Sequence, residues 1–519
     1  MTREELIAEA ERIAAALVLP SSGSLYGGSA GVALFLLELA RTTGRAAYLD
    51  AATRALDGAD APGSGFYTGR LGIAWTMLQF PGDRREAALA LARDALEARR
   101  SHTADLLGGV AGTLLGVLHL HAATGEPALI EMAAALVEEL IGRARPARAG
   151  LYWDRGPDQN RGLCGLSHGA AGIGWVFAEL AHATGNDAFA GIAREAFAYE
   201  RAHFDAARGN WIDYRCMTSR AEDVQRLEEQ YLRGDLSAFS AGGDMNAWCH
   251  GAAGIGLSRM RALELLGDAV LADELQAAIR RVATDLRHTA YSTATLCHGA
   301  LGNAALLHAA GVHEELVRHV AATAIGRARA RGYVSGHPSR QPDDGLMMGT
   351  SGVGWFLLQL ANGTRRDPLL LPVLGTPSMR GETRGILDAT LEELLPRGSA
   401  RDRIRWQVAE RASPALLAIR KIVHGRHADA LFATVPLRLS ADAVIVDGVL
   451  VFATPEGASE VGLAPLTSLI LAAFREACRV DEAVERVTRE VDGGPAELAD
   501  IVREQIRRAF LASILVPAA

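Results

Sequence analysis

The sequence predicts a mainly α-helical chain: a seven-repeat α/α toroid, or double ring of helices, followed by a small C-terminal α+β domain of winged-helix type. Three observations carry this. A four-residue glycine frame recurs seven times along the first 352 residues. Each frame opens a strongly apolar run, and most such runs pass through a loop into an amphipathic one. Convincing strands appear only near residue 443, on either side of an Asp-Gly pair.

The frames are Gly28-Ser29-Ala30-Gly31, Gly69-Arg70-Leu71-Gly72, Gly109-Val110-Ala111-Gly112, Gly169-Ala170-Ala171-Gly172, Gly251-Ala252-Ala253-Gly254, Gly299-Ala300-Leu301-Gly302 and Gly349-Thr350-Ser351-Gly352. Apolar runs such as 32–40, 113–120 and 353–360 belong inside an array; amphipathic runs such as 46–56 and 127–141 belong outside it. Glycines at the start of an inner helix permit close backbone packing. Such pairs can stack as an open solenoid or close as a ring. The seventh inner helix meets a short polar stretch and then Pro368 and Pro372, so it lacks a nearby outer partner. The helix at 3–19 lacks an inner one, and pairing the two closes a ring. The frame-bearing helix ends then face one end of the central cavity, which brings Cys249, Cys297 and His298 together. Little else in the first 370 residues predicts strand, because Ala, Leu, Glu and Arg dominate there.

Two connections are long. Residues 145–167 carry Tyr152-Trp153-Asp154-Arg155, and residues 206–246 carry Trp211-Ile212-Asp213-Tyr214 and a charged run over 220–235. Loops of this length rim functional cavities; for 220–235 a solvated helical insertion is the alternative. From residue 376 the character changes. Helices are predicted at 382–395 and 403–424. A hairpin follows, with strands at 443–446 and 449–452 flanking Asp447-Gly448, and then helices at 464–477, 481–491 and 495–512. Asp481 suits an N-cap and Pro495 a first helical position.

The chain has 519 residues, 49% of them hydrophobic, and a net charge of −8. That charge offers nucleic acid no electrostatic footing. No basic-then-apolar signal and no bilayer-length apolar run is present. The five cysteines are scattered and odd in number, which with the missing signal fits a reducing cytoplasm.

The chemistry concentrates in Ala247-Trp248-Cys249-His250-Gly251 and Leu296-Cys297-His298-Gly299. A thiol beside an imidazole, repeated in the same glycine frame, points to zinc; the alternative is two buried cysteines beside solvent-facing histidines. The frame at 165–174 carries His168 without a cysteine, and the third repeat carries Asp105. Taken together, these segments resemble the lanthionine synthetase C-like family over residues 20–372, a putting-together far more specific than any single glycine frame. Ala198-Tyr199-Glu200-Arg201 and Gly209-Asn210-Trp211 most resemble the cyclase half of bifunctional class II synthetases. The resemblance implies a toroid with zinc at one end, adding peptide cysteine thiols to dehydroalanine or dehydrobutyrine to close thioether rings. It implies Cys249, Cys297 and His298 as zinc ligands, His168 as acid–base residue with Asp105 as its partner, and His250 as a donor in the active site or just outside the ligands. Met245 stands where some members carry an arginine, and Ala300 where class II members often carry an acid. No dehydratase half is present, so a separate dehydratase is implied, acting on the same ribosomally made precursor peptide. The tail, about 436–519, resembles PqqD-like peptide-recognition modules in layout and is expected to bind the leader of that precursor. The expected domains are 1–372, a helical linker at 373–435, and 436–519. Two other functions fit the motifs: glutathione or thiol addition to dehydro residues of proteins, and a non-catalytic peptide-binding scaffold.

Overall fold

The computed structural model describes residues 1–99, 103–147, 149–153, 162–213, 229–230, 232–233, 244–337, 341–365, 414–446, 448–454, 457–491 and 497–518. Its first part is helical. Helix α1 (Arg3–Ala16) precedes six pairs: α2 (Ser29–Thr43) with α3 (Ala46–Leu56), α4 (Arg70–Met77) with α5 (Arg85–Glu97), α6 (Val110–Thr124) with α7 (Ala128–Gly142), α8 (Ala170–Thr184) with α9 (Asp187–Ala202), α10 (Ala252–Leu266) with α11 (Ala269–His288), and α12 (Ala300–Ala310) with α13 (Glu314–Arg331). A last inner helix, α14 (Thr350–Asn362), has no outer partner directly after it among the described residues. It packs instead against α1, from the other end of this region. The even-numbered helices touch in sequence from α2 to α14, and α14 touches α2. The ring is therefore closed, as the unpaired terminal helices predict.

Inner and outer helices differ as their patterns require. In α8 every residue from Ala170 to Leu180 is buried, whereas α5 buries only Ala88, Leu89, Ala92, Ala95 and Leu96, one face at helical spacing. Helix α10 breaks the apolar rule with Arg259, which is 0% exposed. Its Nη2 donates to Glu200 Oε2 at 2.9 Å, its Nε to Glu274, and it lies 4.2 Å from the centre of the Phe197 ring. A buried guanidinium is tolerable only with such partners. The frame glycines act differently from expectation. A Cβ on Gly254 would strike the carbonyl of Trp248 in its own preceding loop, as well as Leu166 of the neighbouring repeat. The close approach is thus of loop onto helix as much as helix onto helix.

The long connections hold short antiparallel ladders that composition did not signal. Strands β1 (Ala144–Pro146) and β2 (Leu151–Trp153) pair Ala144 with Trp153; β3 (Phe204–Asp205) and β4 (Asn210–Trp211) pair Phe204 with Trp211. Each buries aromatic side chains, Tyr152 and Trp153 in one and Trp211 in the other. Asp154, Arg155, Tyr214 and most of the charged run at 220–235 lie outside the described residues.

The C-terminal part is a small α+β unit. Helix α15 (Pro414–Thr434) is followed by β5 (Leu437–Leu439), β6 (Ala443–Val446), β7 (Val449–Thr454), β8 (Gly457–Gly462), α16 (Pro465–Ala473), α17 (Val480–Glu490), α18 (Leu498–Leu511) and β9 (Leu515–Pro517). The predicted hairpin is present, with Val446 opposite Val449 and Gly448 at φ +73°. It is extended by β8 into a three-stranded meander, and β5 pairs with β9 in a second sheet. The polar, glycine-flanked β8 gave no alternating apolar signal. Helix α17 is capped at Arg479, with the Glu482 carboxylate accepting from the Arg479 N–H at 3.1 Å. Asp481 therefore sits in the first turn rather than at the cap. Pro495 and the predicted helix at 382–395 lie outside the described residues, as does the start of the one at 403–424. The core of this unit includes Ala428 and Phe432 from α15. His424 belongs with them: its ring stacks 4.1 Å from Phe510 and its Nδ1 meets the Phe510 carbonyl at 2.9 Å.

Candidate metal centre and acid–base pair

The loop before each inner helix contributes one residue, two places ahead of the first frame glycine, to a closed chain of hydrogen bonds. The Met347 N–H donates to Tyr26 O at 2.8 Å, Tyr26 to Tyr67 O at 2.7 Å, Leu107 to Ser167 O at 3.0 Å, Ser167 to Cys249 O at 3.1 Å, Cys249 to Cys297 O at 3.3 Å and Cys297 to Met347 O at 2.8 Å. The Thr68 hydroxyl, donating to Leu107 O at 3.1 Å, spans the remaining gap. Buried main-chain groups need partners, and here the partners come from the next repeat. Residues far apart in sequence are thereby fixed side by side.

Cys249 and Cys297 are neighbours in this chain of bonds. Their sulfurs and a ring nitrogen of His298 all lie within 4.8 Å of one another, and this is the one such cluster among the described residues. Cys249 is 7% exposed and Cys297 2%. His298 Nε2 lies 2.7 Å from the Gly336 carbonyl. A carbonyl only accepts, so Nε2 carries the proton and Nδ1 keeps its lone pair for a metal. Two sulfurs and one imidazole nitrogen at this spacing fit a tetrahedral zinc ion, whose ligand atoms stand roughly 3.5–4 Å apart for bonds of about 2.0–2.3 Å.

One residue at this centre was not foreseen. Tyr26 lies beside the sulfurs of Cys297 and Cys249. Burial, then the neighbouring sulfurs, push its phenol well above the ordinary range, so it stays neutral. It stands two places before Gly28, the position that Cys249 and Cys297 hold in their own frames.

His168 follows Ser167 in the same ring of loops. Its Nδ1 lies 2.8 Å from Asp105 Oδ2. Asp105 is buried, and its other oxygen accepts from the N–H groups of Gly108 at 3.1 Å and Gly109 at 3.0 Å. A carboxylate so held fixes Nδ1 as the protonated nitrogen and leaves Nε2 to exchange a proton. The His168 side chain is 20% exposed. The acid–base pair is tied to the metal centre through Ser167, whose N–H and hydroxyl both donate to the Cys249 carbonyl, at 3.1 and 3.0 Å.

Residues 20–372 match the family model described as lanthionine synthetase C-like protein. The chain belongs to this family. Among solved structures it is similar to nisin cyclase, at 17% identity and a TM-score of 0.49, over 75% of this chain and 98% of that one. The Lin0763 protein from Listeria innocua matches at 12% identity and a TM-score of 0.38, over 70% of this chain and 97% of that one. A polysaccharide lyase matches at 13% identity and a TM-score of 0.34, over 70% of this chain and 96% of that one. No curated protein sequence matches the chain.

In this lanthionine synthetase C-like chain, His250 is 1% exposed. Its Nε2 is 3.5 Å from Asp213 Oδ1, and a Cβ on Gly165 would come within 2.9 Å of its Nδ1. It is packed behind Cys249 rather than open to solvent. The two other motifs singled out in the sequence act on backbone. Glu200 Oε1 accepts from Gly165 N at 2.7 Å and Ala171 N at 2.9 Å, clamping both ends of the loop that carries His168. Asn210 Oδ1 accepts from Ala252 N at 2.9 Å, and its Nδ2 donates to Met245 O at 3.0 Å and Asp244 Oδ1 at 2.7 Å. The glycine N-caps of α8 and α10 have no side chain to offer, so the cap arrives from elsewhere in the chain. Gly251 is required twice over: its φ is +88°, and a Cβ there would strike the Met245 carbonyl. Met245 therefore contributes its carbonyl to the loop, with its side chain packed against the ring core. No described helix is long and apolar enough to cross a membrane.

Proposed function

We propose that this protein is a zinc-dependent peptide cyclase that adds cysteine thiols to dehydroalanine or dehydrobutyrine, forming lanthionine-type thioether rings. The observation that carries the reading is the convergence, on one ring of loops, of a two-cysteine, one-histidine cluster and a carboxylate-held histidine. Bound by Cys249, Cys297 and His298, zinc would offer its fourth position to a substrate thiol and lower that thiol's pKa. The cysteine sulfur then bonds to the alkene β-carbon, the π bond is lost, and the α-carbon takes a proton. His168 supplies that proton from Nε2, while Asp105 holds the ring and its charge. His250 keeps the Cys249 loop in place from behind. The proposed domains are the ring, to about residue 372, and a tail that begins within α15, with a connecting segment between them. The likeness of the ring to class II cyclases, and of the tail to PqqD-like modules that would hold a leader peptide, belongs to the same reading. The alkene is made by dehydration of a serine or threonine before the peptide reaches this site.

The test uses a dehydrated peptide with one cysteine. Ring closure leaves its mass unchanged but removes the thiol from reaction with an alkylating reagent. The zinc-loaded protein, with about one ion per chain, consumes the thiol. Cys249→Ala and Cys297→Ala lose most of the metal and the activity; His250→Ala keeps the metal. His168→Ala keeps the metal and slows thiol loss by about a hundredfold or more. A thiol that stays free with wild-type protein would sink the reading, and a product heavier by glutathione in a mixed assay would replace it with thiol addition to proteins.

A further inference from the structure

A cavity of about 880 Å³ lies in the wall of the ring, between the C-terminal ends of α11 and α13 and the chain segments 289–294 and 332–334. Its volume is within the range of ligand sites, roughly 300–1,000 Å³. Its lining holds Arg287, Arg327, Arg331, His288 and His319, and not one carboxylate. In a chain of net charge −8 this is a local reversal of sign. Cations in a last helical turn complement the helix dipole. That accounts for Arg287 and Arg331 but not for the missing acids around them. Elsewhere on the ring arginines are commonly paired; Arg281, also on α11, bonds Asp285 at 2.8 Å and Asp244 at 3.0 Å. Within the cavity Arg287 meets only His313 Nδ1 at 3.4 Å, and Arg327 the Tyr291 carbonyl at 3.2 Å. Neither they nor Arg331 forms an ion pair with a carboxylate among the described residues.

Two residues of the lining stand close in sequence to the candidate metal cluster. Ala300 lines it two residues after His298, and the Ala300 N–H bonds Thr293 O, also in the lining, at 3.1 Å. Val334 of its wall stands two residues before Gly336, whose carbonyl holds His298. The cavity is thus walled by the chain segments that carry His298 and its carbonyl partner. We propose that this cavity binds an acidic stretch of the peptide substrate, so that a neighbouring cysteine is delivered to Cys249, Cys297 and His298. The proposal rests on the peptide-cyclase reading. The unpaired guanidinium groups supply forked donors that suit carboxylates. The acidic remainder of the surface repels such a segment and so steers it here.

The test uses the full-length zinc-loaded protein and a fluorescein-labelled twelve-residue peptide rich in Asp and Glu. A control peptide carries Asn and Gln in their place. The acidic peptide binds at least tenfold tighter than the control, and less tightly as salt rises. Arg287→Glu with Arg331→Glu weakens it at least tenfold at unchanged zinc content. Ala300→Glu, which leaves every arginine in place, weakens it severalfold. Equal binding of the two peptides overturns the proposal, as does unaltered binding by both variants. Tighter binding of a DNA oligonucleotide of equal charge assigns the cavity to another ligand and also overturns it. Thiol consumption from a short, uncharged dehydrated peptide, measured on the same samples, reports separately on the cyclase reading. If it proceeds while acidic binding is absent, only the cavity assignment fails.

Discussion

At the scale of single residues, the site is one column of the repeat. Tyr26, Tyr67, Leu107, Ser167, Cys249, Cys297 and Met347 all stand two places before the first glycine of their frames, and all seven take part in the inter-repeat main-chain bonds, five of them as both donor and acceptor. The cysteines in that column were legible because thiols beside imidazoles are a rare chemical pattern. Tyr26 was not, since a tyrosine in a loop is ordinary until a sulfur is known to face it; reading down the column was the available signal. Its side chain lies beside the Cys297 sulfur. A metal-bound thiolate has no proton, so in a hydrogen bond between the two the phenol would donate and draw charge from the sulfur. With cobalt in place of zinc, Tyr26→Phe is expected to move the sulfur-to-metal charge-transfer band to longer wavelength while metal content stays at about one per chain. An unshifted band would make Tyr26 a packing residue.

At the scale of elements, the helices were legible and their fastening was not. Apolar runs locate inner helices because a helix buried on all sides has no polar face to lose, and the amphipathic runs locate outer ones. Two-residue ladders such as β3–β4 carry no periodicity, and a cap supplied across the chain leaves no spacing rule to find. Asn210 shows the consequence. It is 1% exposed and serves Ala252 N, Met245 O and Asp244 together. Asn210→Ala leaves buried backbone groups of the Cys249 loop without that partner, a loss of about 1–3 kcal/mol. The expected outcome is a lower denaturation midpoint together with faster hydrogen exchange at the Ala252 amide. The Ala171 amide, held by Glu200, should exchange as before. Equal acceleration at both amides would mean that Asn210 stabilises the ring at large and not this loop.

At the scale of the whole molecule, ring closure followed from two helices without local partners, α1 and α14, and the structure pairs them. The ring and the tail each bury their own hydrophobic cluster, one drawn from Leu6 to Leu360 and the other from Ala428 to Leu515. The sequence placed the edge of the tail too late, because nothing in the composition of α15 shows that His424, Ala428 and Phe432 pack on the tail's own helices. A cut at 436 would strip them from that core; a cut before Pro414 keeps α15 whole. Removal of residues 414–519 is therefore expected to leave a folded ring with its metal, consuming the thiol of a leaderless dehydrated peptide at about the parental rate. The tail's meander ends in edge strands, β6 and β8, and an extended leader can add a strand to such an edge, with side-chain pockets setting its sequence. Tethering then raises the local concentration of the core peptide to about the millimolar range, so weak contacts at the ring suffice. The truncated protein should accordingly bind the full precursor about a hundredfold more weakly, and residues 414–519 alone should bind labelled leader. Unchanged precursor affinity after truncation, with no leader binding by the isolated tail, would reassign the tail to docking another protein.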